Sequence, residues 1–208
     1  MTHTARGCRA VMMLGLAAVM AACTSGDRAA RQSAPSTEPE SAGSSGGQSI
    51  YDLDLSLTDQ DGRTLALADL RGRVLVAAMI YSRCTAVCPR VTEDMKGVEK
   101  ELSGRDRKDV GFVLFSLDPG RDTAAALRRF AVDHALDPSG WRLFASSEDG
   151  VRDLSAVLGV KYKPEDNGEI AHSAMIFIID REGVVRHRQL GLNPDPHELT
   201  TALAKAMR

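Results

Sequence analysis

Cys84 and Cys88, with three residues between them and Pro89 directly after, are the residues whose type and spacing best support chemistry. Four positions apart in a turn or helix, two sulfurs can point to one side, where they close a disulfide or chelate one ion. The run Val74 to Tyr81 before them is almost continuously apolar, which predicts a strand covered on both faces. The run Arg90 to Leu102 after them places Val91, Met95, Val98 and Leu102 on one helical stripe, with Gly104 as a stop. The pair therefore falls where a strand hands over to a helix. Unpaired N–H groups and partial positive charge at a helix start favour thiolate over thiol, and Arg83 and Arg90 add local positive charge.

Three readings of the pair compete. A purely stabilising disulfide would close so small a ring that chain entropy supplies only about 2 kcal/mol, against ~4.7 for a 100-residue loop, so stability alone does not call for this placement. A thiol-disulfide oxidoreductase more often carries two residues between its cysteines. A metal site needs at least one further donor: two thiolates with an imidazole suit copper(I), whereas zinc would want four closed positions that the sequence does not obviously supply. Of the histidines, His134 falls late in a helix, His187 in a hairpin and His197 in a helix's first turn, which reads as solvated or capping positions. His172 differs, because Ala171-His172-Ser173 ends the polar loop Lys163 to Glu169 and leads into the apolar strand Ala174 to Ile179. It is the candidate third donor, with a structural histidine as the alternative. Met79, Met95, Met175 and Met207 are scattered and read as packing residues.

The elements around these residues alternate. Asp52 to Leu57 alternates like a strand, Asp59 to Gly62 is turn chemistry, and Thr64 to Leu67 returns as a second short strand. After the first core strand and helix come a buried strand Val110 to Leu117 and a helix capped by Asp122 that runs through Leu127 and Phe130. A short strand Trp141 to Ala145 and a helix Ser147 to Leu158 follow. Ala174 to Ile179 and Val184 to Leu190 flank the hairpin signal Asp180 to Gly183, and Asp195-Pro196-His197-Glu198 opens a last helix. Arg105 to Lys108 reads as a solvated loop. An N-terminal β-hairpin, buried strands joined by helices, then an antiparallel pair and a closing helix make an α/β thioredoxin-like fold, a central mixed sheet flanked by helices. No Gly-rich phosphate loop follows Val74 to Tyr81, which argues against a dinucleotide fold.

The 208 residues fit one domain with appendages, and 26 basic against 28 acidic residues, a net charge of -2, offer no footprint for nucleic acid. No apolar run reaches the ~20 residues of a retained membrane helix. Arg6 and Arg9 followed by the short apolar stretch Ala10 to Ala22 predict a secretory signal over residues 1–22. Residues 23–49 then begin with Cys23 and continue in Ser, Gly, Ala, Pro and Glu, the composition of a flexible tether with a span of roughly 25 to 30 Å. Cys8 would leave with the signal. The folded domain, residues 50–208, keeps Cys84 and Cys88 as its cysteines.

Several of these segments resemble known proteins. Val19-Met20-Ala21-Ala22-Cys23 resembles the lipobox of bacterial lipoproteins, which implies lipidation of Cys23 and an extracytoplasmic domain tethered to the periplasmic side of a membrane. Tyr81 to Pro89, with its Cys-x-x-x-Cys-Pro, resembles the signature of the Sco/SenC family of copper-handling proteins. Ser116 to Thr123, with Asp118-Pro119 and Arg121-Asp122-Thr123, resembles the second family motif, and His172-Ser173 before Phe177 to Asp180 resembles the third. The resemblance implies a thioredoxin-like fold in which Cys84, Cys88 and His172 bind copper(I) or copper(II). It implies delivery to the binuclear copper centre of cytochrome c oxidase subunit II or another copper oxidase, with other copper chaperones or thiol reductants as further partners. Alternatively, Cys84 and Cys88 act as the redox-active pair of a thiol-disulfide oxidoreductase that reduces subunit II cysteines, or of a redox sensor. Asp118 and Asp122 are expected to have structural or partner-recognition roles.

Overall fold

The computed structural model describes residues 47–208 except 103 and 105. The expectations for the signal and for Cys23 lie outside the described residues. Chain order is β1 (Ser56–Asp59), β2 (Thr64–Ala66), β3 (Val74–Ile80), α1 (Val87–Glu101), α2 (Asp106–Asp109), β4 (Val110–Ser116) and α3 (Ala124–Asp133). It continues with β5 (Trp141–Ala145), α4 (Glu148–Leu158), β6 (Tyr162–Pro164), β7 (Ile170–His172), β8 (Met175–Ile179), β9 (Val185–Leu190) and α5 (Pro196–Ala206).

Seven strands form one mixed sheet in the order β2-β1-β5-β4-β3-β8-β9. Every residue of β3 and of β4 is buried, as the unbroken apolar runs require, and the two pair in parallel from Val74 with Val110 to Ile80 with Ser116. β8 runs antiparallel to β3, with Leu75 opposite Ile179 and Ala78 opposite Ile176. The β8–β9 turn, Asp180 to Gly183, therefore sits at the start of β3, and the cysteine pair follows its end. At about 3.3 Å per residue, the length of β3 puts roughly 20 Å between these poles. Ile50 joins the sheet at the turn's pole, where its N–H donates to the Gly183 carbonyl at 2.9 Å.

α1 packs on α5 and both pack on β3 and β8, while α3 lies against β1 and β5. Phe112 and Trp141 stack across β4 and β5 with ring centroids 4.9 Å apart. Gln60 carries the β1 side of that layer further: its amide donates to the Trp141 carbonyl and accepts from Leu143 N–H at 2.9 Å. Met79 and Met95 are core residues, as their scattered positions implied.

Four local expectations are corrected. The first strand begins at Ser56 rather than Asp52, because Ile50–Asp52 form a 3-10 turn, capped by Ser49, that buries Ile50 and Tyr51. α3 is capped by Thr123, whose hydroxyl accepts from Ala126 N–H, and not by Asp122. Asp106–Asp109 form a short helical turn where a solvated loop was expected. The polar segment before His172 is the turn of a separate two-stranded sheet, in which Tyr162 pairs with His172 and Pro164 with Ile170. Other ends follow the sequence: Ser147 caps α4, Gly159 closes it at φ +76°, and Asp195 caps α5 with Pro196 in its first turn.

Candidate functional site

β3 delivers the chain at Tyr81, a short loop carries Cys84, and Cys88 lies in the first turn of α1. The Ala86 cap of α1 has no side chain able to accept its first N–H groups. The Cys84 sulfur takes that place: Cys88 N–H donates to Cys84 Sγ at 3.3 Å. An orphan helix donor is thereby satisfied by the atom that most benefits from it, since a thiolate is a better acceptor than a thiol. Pro89 fits in the same turn because its missing N–H would have had no helical partner.

Both cysteines are free thiols, Cys84 7% and Cys88 0% exposed. They are unequal acids. The hydrogen bond from the Cys88 thiol, then the N–H groups of Cys88 and Ala86, hold the Cys84 thiol well below the usual range despite burial. The same bond to Cys84, together with burial, pushes the Cys88 thiol well above it. The pair thus carries one thiolate, on Cys84, and one proton, on Cys88.

His172 closes the third side from β7. Its Nε2 stands 3.8 Å from Cys88 Sγ, and its Nδ1 is 2.9 Å from the Ile170 carbonyl. A carbonyl only accepts, so Nδ1 carries a proton, and the tautomer that this bond selects for the neutral ring turns the Nε2 lone pair toward the sulfur. The Tyr81 ring meets the imidazole edge-on, with centroids 5.6 Å apart. The structure therefore brings Cys84, Cys88 and His172 to one place. Among the described residues, no three Cys, His, Asp or Glu side chains form a group that could hold a metal ion as they stand, so a third donor has to close in on the Cys88–His172 edge. Of the other histidines, His134 is the C-cap of α3 and His197 lies in the first turn of α5. His187 departs from the solvated reading, since its Nε2 is shielded from solvent and has no hydrogen-bond partner among the described residues.

Second-motif residues brace this arrangement from behind. Asp122, 1% exposed, accepts from the Ser116 hydroxyl at 2.6 Å and from the Ser82 hydroxyl at 2.5 Å. Burial raises the Asp122 pKa, against those hydrogen bonds. Asp118 accepts from Arg121 Nε at 2.5 Å, and Arg121 Nη2 donates to the Gly168 carbonyl in the β6–β7 turn at 2.9 Å. Tyr81 donates to Glu169 Oε2 at 2.5 Å. Sequence reasoning missed Ser82, Ser116, Tyr81 and Glu169, since none has a residue type or spacing that singles it out. A cleft of 310 Å³ opens between the second motif and the β6–β7 ribbon and one of 730 Å³ between the β8–β9 turn and α5, and neither is lined by a cysteine.

Comparison with known proteins follows this geometry. Residues 44–208 match the SCO1/SenC family model. A SCO1 protein homolog of Bacillus subtilis (strain 168) is 27% identical over 162 residues, 74% of this chain and 83% of that protein. The crystal structure of a SCO1/SenC family lipoprotein from Bacillus anthracis is 28% identical with a TM-score of 0.67, covering 74% of this chain and 94% of that one. The copper-bound structure of Bradyrhizobium japonicum ScoI, 24% identical, covers 74% of this chain and 97% of its own with a TM-score of 0.59, a likeness of fold. With its thioredoxin-like sheet and a family match over residues 44–208, this chain belongs to the SCO1/SenC family.

Proposed function

We propose that this chain is a tethered copper chaperone that holds one copper ion through Cys84, Cys88 and His172 and passes it on during assembly of cytochrome c oxidase. The observation that carries this reading is the 3.8 Å from Cys88 Sγ to His172 Nε2. Sulfur and nitrogen bonded to one ion at about 2.3 and 2.0 Å stand roughly 3.5 to 3.7 Å apart at tetrahedral or trigonal angles. The two atoms stand within a few tenths of an ångström of the separation one ion would set, and Cys84 adjoins them.

Copper is the cargo. The Cys84 thiolate supplies the first donor without losing a proton. Capture by Cys88 releases the thiol proton to solvent, which makes loading weaker in acid. The Nδ1 bond to the Ile170 carbonyl aims Nε2 at the sulfur, so no tautomer change is needed for His172 to enter. Two soft thiolates and one imidazole match copper(I) and leave room for a donor on the acceptor protein, which is what transfer requires. The copper in the Bradyrhizobium japonicum ScoI structure supports the choice of metal.

The unequal acidity of the cysteines favours a second use of the same site. A Cys84 thiolate can attack a disulfide sulfur on the acceptor, forming a mixed disulfide and releasing one acceptor thiolate. Cys88, once deprotonated, then displaces the second, leaving the acceptor with two thiols and this chain with a Cys84–Cys88 disulfide. Subunit II of the oxidase is the acceptor in either use, and a thiol reductant would restore the pair.

Residues 1–22 act as a secretory signal, Cys23 carries the lipid, and the segment to Ser49 tethers the domain to the periplasmic side of the membrane. The lipoprotein from Bacillus anthracis supports this arrangement. Among the described residues no helix is long and apolar enough to cross a membrane. Ser49 bridges Val184, so the chain enters the domain at the pole away from Cys84.

The test is a competition titration against a copper(I) chelator, under reducing anaerobic conditions, for the native protein and for Cys84→Ser, Cys88→Ser and His172→Ala. The native protein should bind one copper, either serine variant should nearly abolish binding, and His172→Ala should weaken it, with a larger loss for copper(II) when the titration is repeated without reductant and read by absorption and spin resonance. Native affinity in both cysteine variants would defeat the reading. Mass spectrometry of the mature N-terminus tests the lipid on Cys23, and Cys23→Ser should release the protein from membranes.

A further inference from the structure

We propose that the hydrogen bond from the Tyr81 hydroxyl to Glu169 is the latch that keeps His172 on the cysteine pair, making Tyr81 and Glu169 positioning residues for the imidazole donor. The inference rests on the reading that Cys84, Cys88 and His172 hold copper.

His172 does not belong to the main sheet. It ends β7, in a two-stranded ribbon outside the seven-stranded layer, so sheet pairing does not fix its distance from α1. At its other end the ribbon runs into β8, which begins three residues after His172, whereas its turn end is tied to the rest of the domain by side-chain contacts. Arg121 grips the Gly168 carbonyl at 2.9 Å, and Tyr81 donates to Glu169 Oε2 at 2.5 Å. Ile170 is 5% exposed and anchors the strand between Glu169 and His172. Its carbonyl fixes the imidazole through Nδ1 at 2.9 Å. Three neighbouring positions thus have linked tasks: Glu169 is held, Ile170 is buried, and His172 presents Nε2.

Tyr81 is suited to be the fixed end. It is 3% exposed, it directly follows β3, and its carbonyl accepts from Cys84 N–H at 3.1 Å. One residue therefore shapes the cysteine loop through its backbone and reaches the histidine ribbon through its side chain. Its ring also meets the His172 ring at 5.6 Å, which limits where the imidazole can lie. The hydroxyl gives its one proton to Glu169 while the backbone carbonyl holds Cys84 N–H, so Tyr81 couples both halves of the site. Rupture should leave two thiolates in place and release the nitrogen donor. The consequence is selective: copper(I), content with two sulfurs, should be retained, and copper(II), which wants further donors, should be lost.

The experiment uses the mature protein with Tyr81→Phe, Glu169→Ala, Glu169→Gln and the double variant Tyr81→Phe/Glu169→Ala. Glu169→Gln keeps an amide oxygen that can accept from Tyr81 and should restore native behaviour. Tyr81→Phe and Glu169→Ala should each weaken copper(II) about tenfold, the lower end of what is lost when a supporting contact to a metal-binding histidine is removed. Spin resonance should show reduced nitrogen coupling, and copper(I) affinity should change little. The double variant should be no worse than either single one, since both remove one contact.

A metal-free arm separates the latch from the copper reading. Hydrogen exchange in the segment 162–173 should speed up at least about tenfold in Tyr81→Phe and Glu169→Ala, with α1 unchanged, because the contact that closes the ribbon is gone. Native exchange in both variants, or native nitrogen coupling and copper(II) affinity in both, would overturn the latch. A native protein that binds no copper while the variants still open the ribbon would instead overturn the copper assignment and with it the role given to the latch.

Discussion

Ser82 and Asp122, 40 positions apart, are joined twice: the Ser82 N–H donates to Oδ2 at 3.1 Å and its hydroxyl to Oδ1 at 2.5 Å. Ser116 at the end of β4 donates to the same carboxylate at 2.6 Å. One buried carboxylate thereby ties the loop that carries Cys84 to the parallel strand beside it. The loop cannot satisfy its own N–H by strand pairing, because β3 has already ended, and Asp122 supplies the acceptor that the sheet no longer can.

Asp122→Asn should therefore loosen the cysteine loop. It replaces one carboxylate oxygen by an amide donor that faces a hydroxyl or an N–H, and a buried polar group left unmatched costs about 1 to 3 kcal/mol. Urea unfolding should show a loss of that size. The pH dependence has a defined sign. Burial raises the folded pKa of Asp122 above the ordinary aspartate value of 3.8. Between that value and the raised one, the native state binds more protons than the unfolded state, so this residue makes stability fall as pH rises and contributes a constant penalty above the window. The difference in stability between native protein and Asp122→Asn should narrow with rising pH across the window. A difference that is flat in pH would show that Asp122 titrates alike in both states.

For His172, nitrogen NMR of the metal-free protein should find the tautomer protonated at Nδ1, since that nitrogen is 2.9 Å from the Ile170 carbonyl. Copper(I) should then move the Nε2 resonance and leave the Nδ1 proton in place. An Nε2-protonated ring in the metal-free state would contradict the site geometry and require a tautomer change on loading.

The parts of this fold that local pattern encodes were legible. Val74 to Ile80 and Val110 to Ser116 announce buried strands because no polar residue interrupts them before Ser116, and Cys84 and Cys88 announce themselves by type and spacing. Asp122 was misread as a cap because Asp and Thr serve that position almost equally, and only the fold shows Thr123 at the helix and Asp122 turned inward. Tyr81 and Glu169 were illegible for a different reason. One closes an apolar run and the other sits in a polar one, 88 positions away, so their contact exists only once the ribbon folds over the end of β3. The ribbon itself was read as a loop because strands of three residues leave too little alternation to detect.

Gly183 makes a prediction at the opposite pole. Its φ is +89°, and a Cβ there would stand 2.4 Å from Tyr51 Cδ2 and 2.5 Å from Ser49 Oγ. Gly183→Ala should cost about 2 to 3 kcal/mol from the left-handed backbone and the clash together. Chemical denaturation should report that loss, while copper affinity of the folded protein stays native, because the turn and the cysteines occupy opposite ends of β3. A drop in copper affinity at full folding would mean the two poles are coupled.

Alkylation kinetics should separate the two cysteines. Cys84 is the thiolate of the pair, held so first by the Cys88 thiol and then by the N–H groups of Cys88 and Ala86. Its folded pKa is depressed, so the reactive form is fully present at pH 7 and is lost only as pH falls through the depressed value. The rate of Cys84 alkylation should therefore be nearly flat between about pH 6 and 8, where an ordinary thiol would gain close to tenfold per pH unit. Cys88 should react far more slowly at every pH in that range, being protonated and fully buried. Cys88→Ala removes the hydrogen-bond donor that contributes most, and should slow Cys84 at pH 6 by roughly tenfold while leaving the rate at pH 9 almost unchanged. Mass spectrometry of alkylated peptides over a pH series distinguishes the outcomes. If Cys84 instead gains rate with pH like a free thiol, its sulfur is not the acceptor at the start of α1, and the asymmetry on which the oxidoreductase use depends is absent.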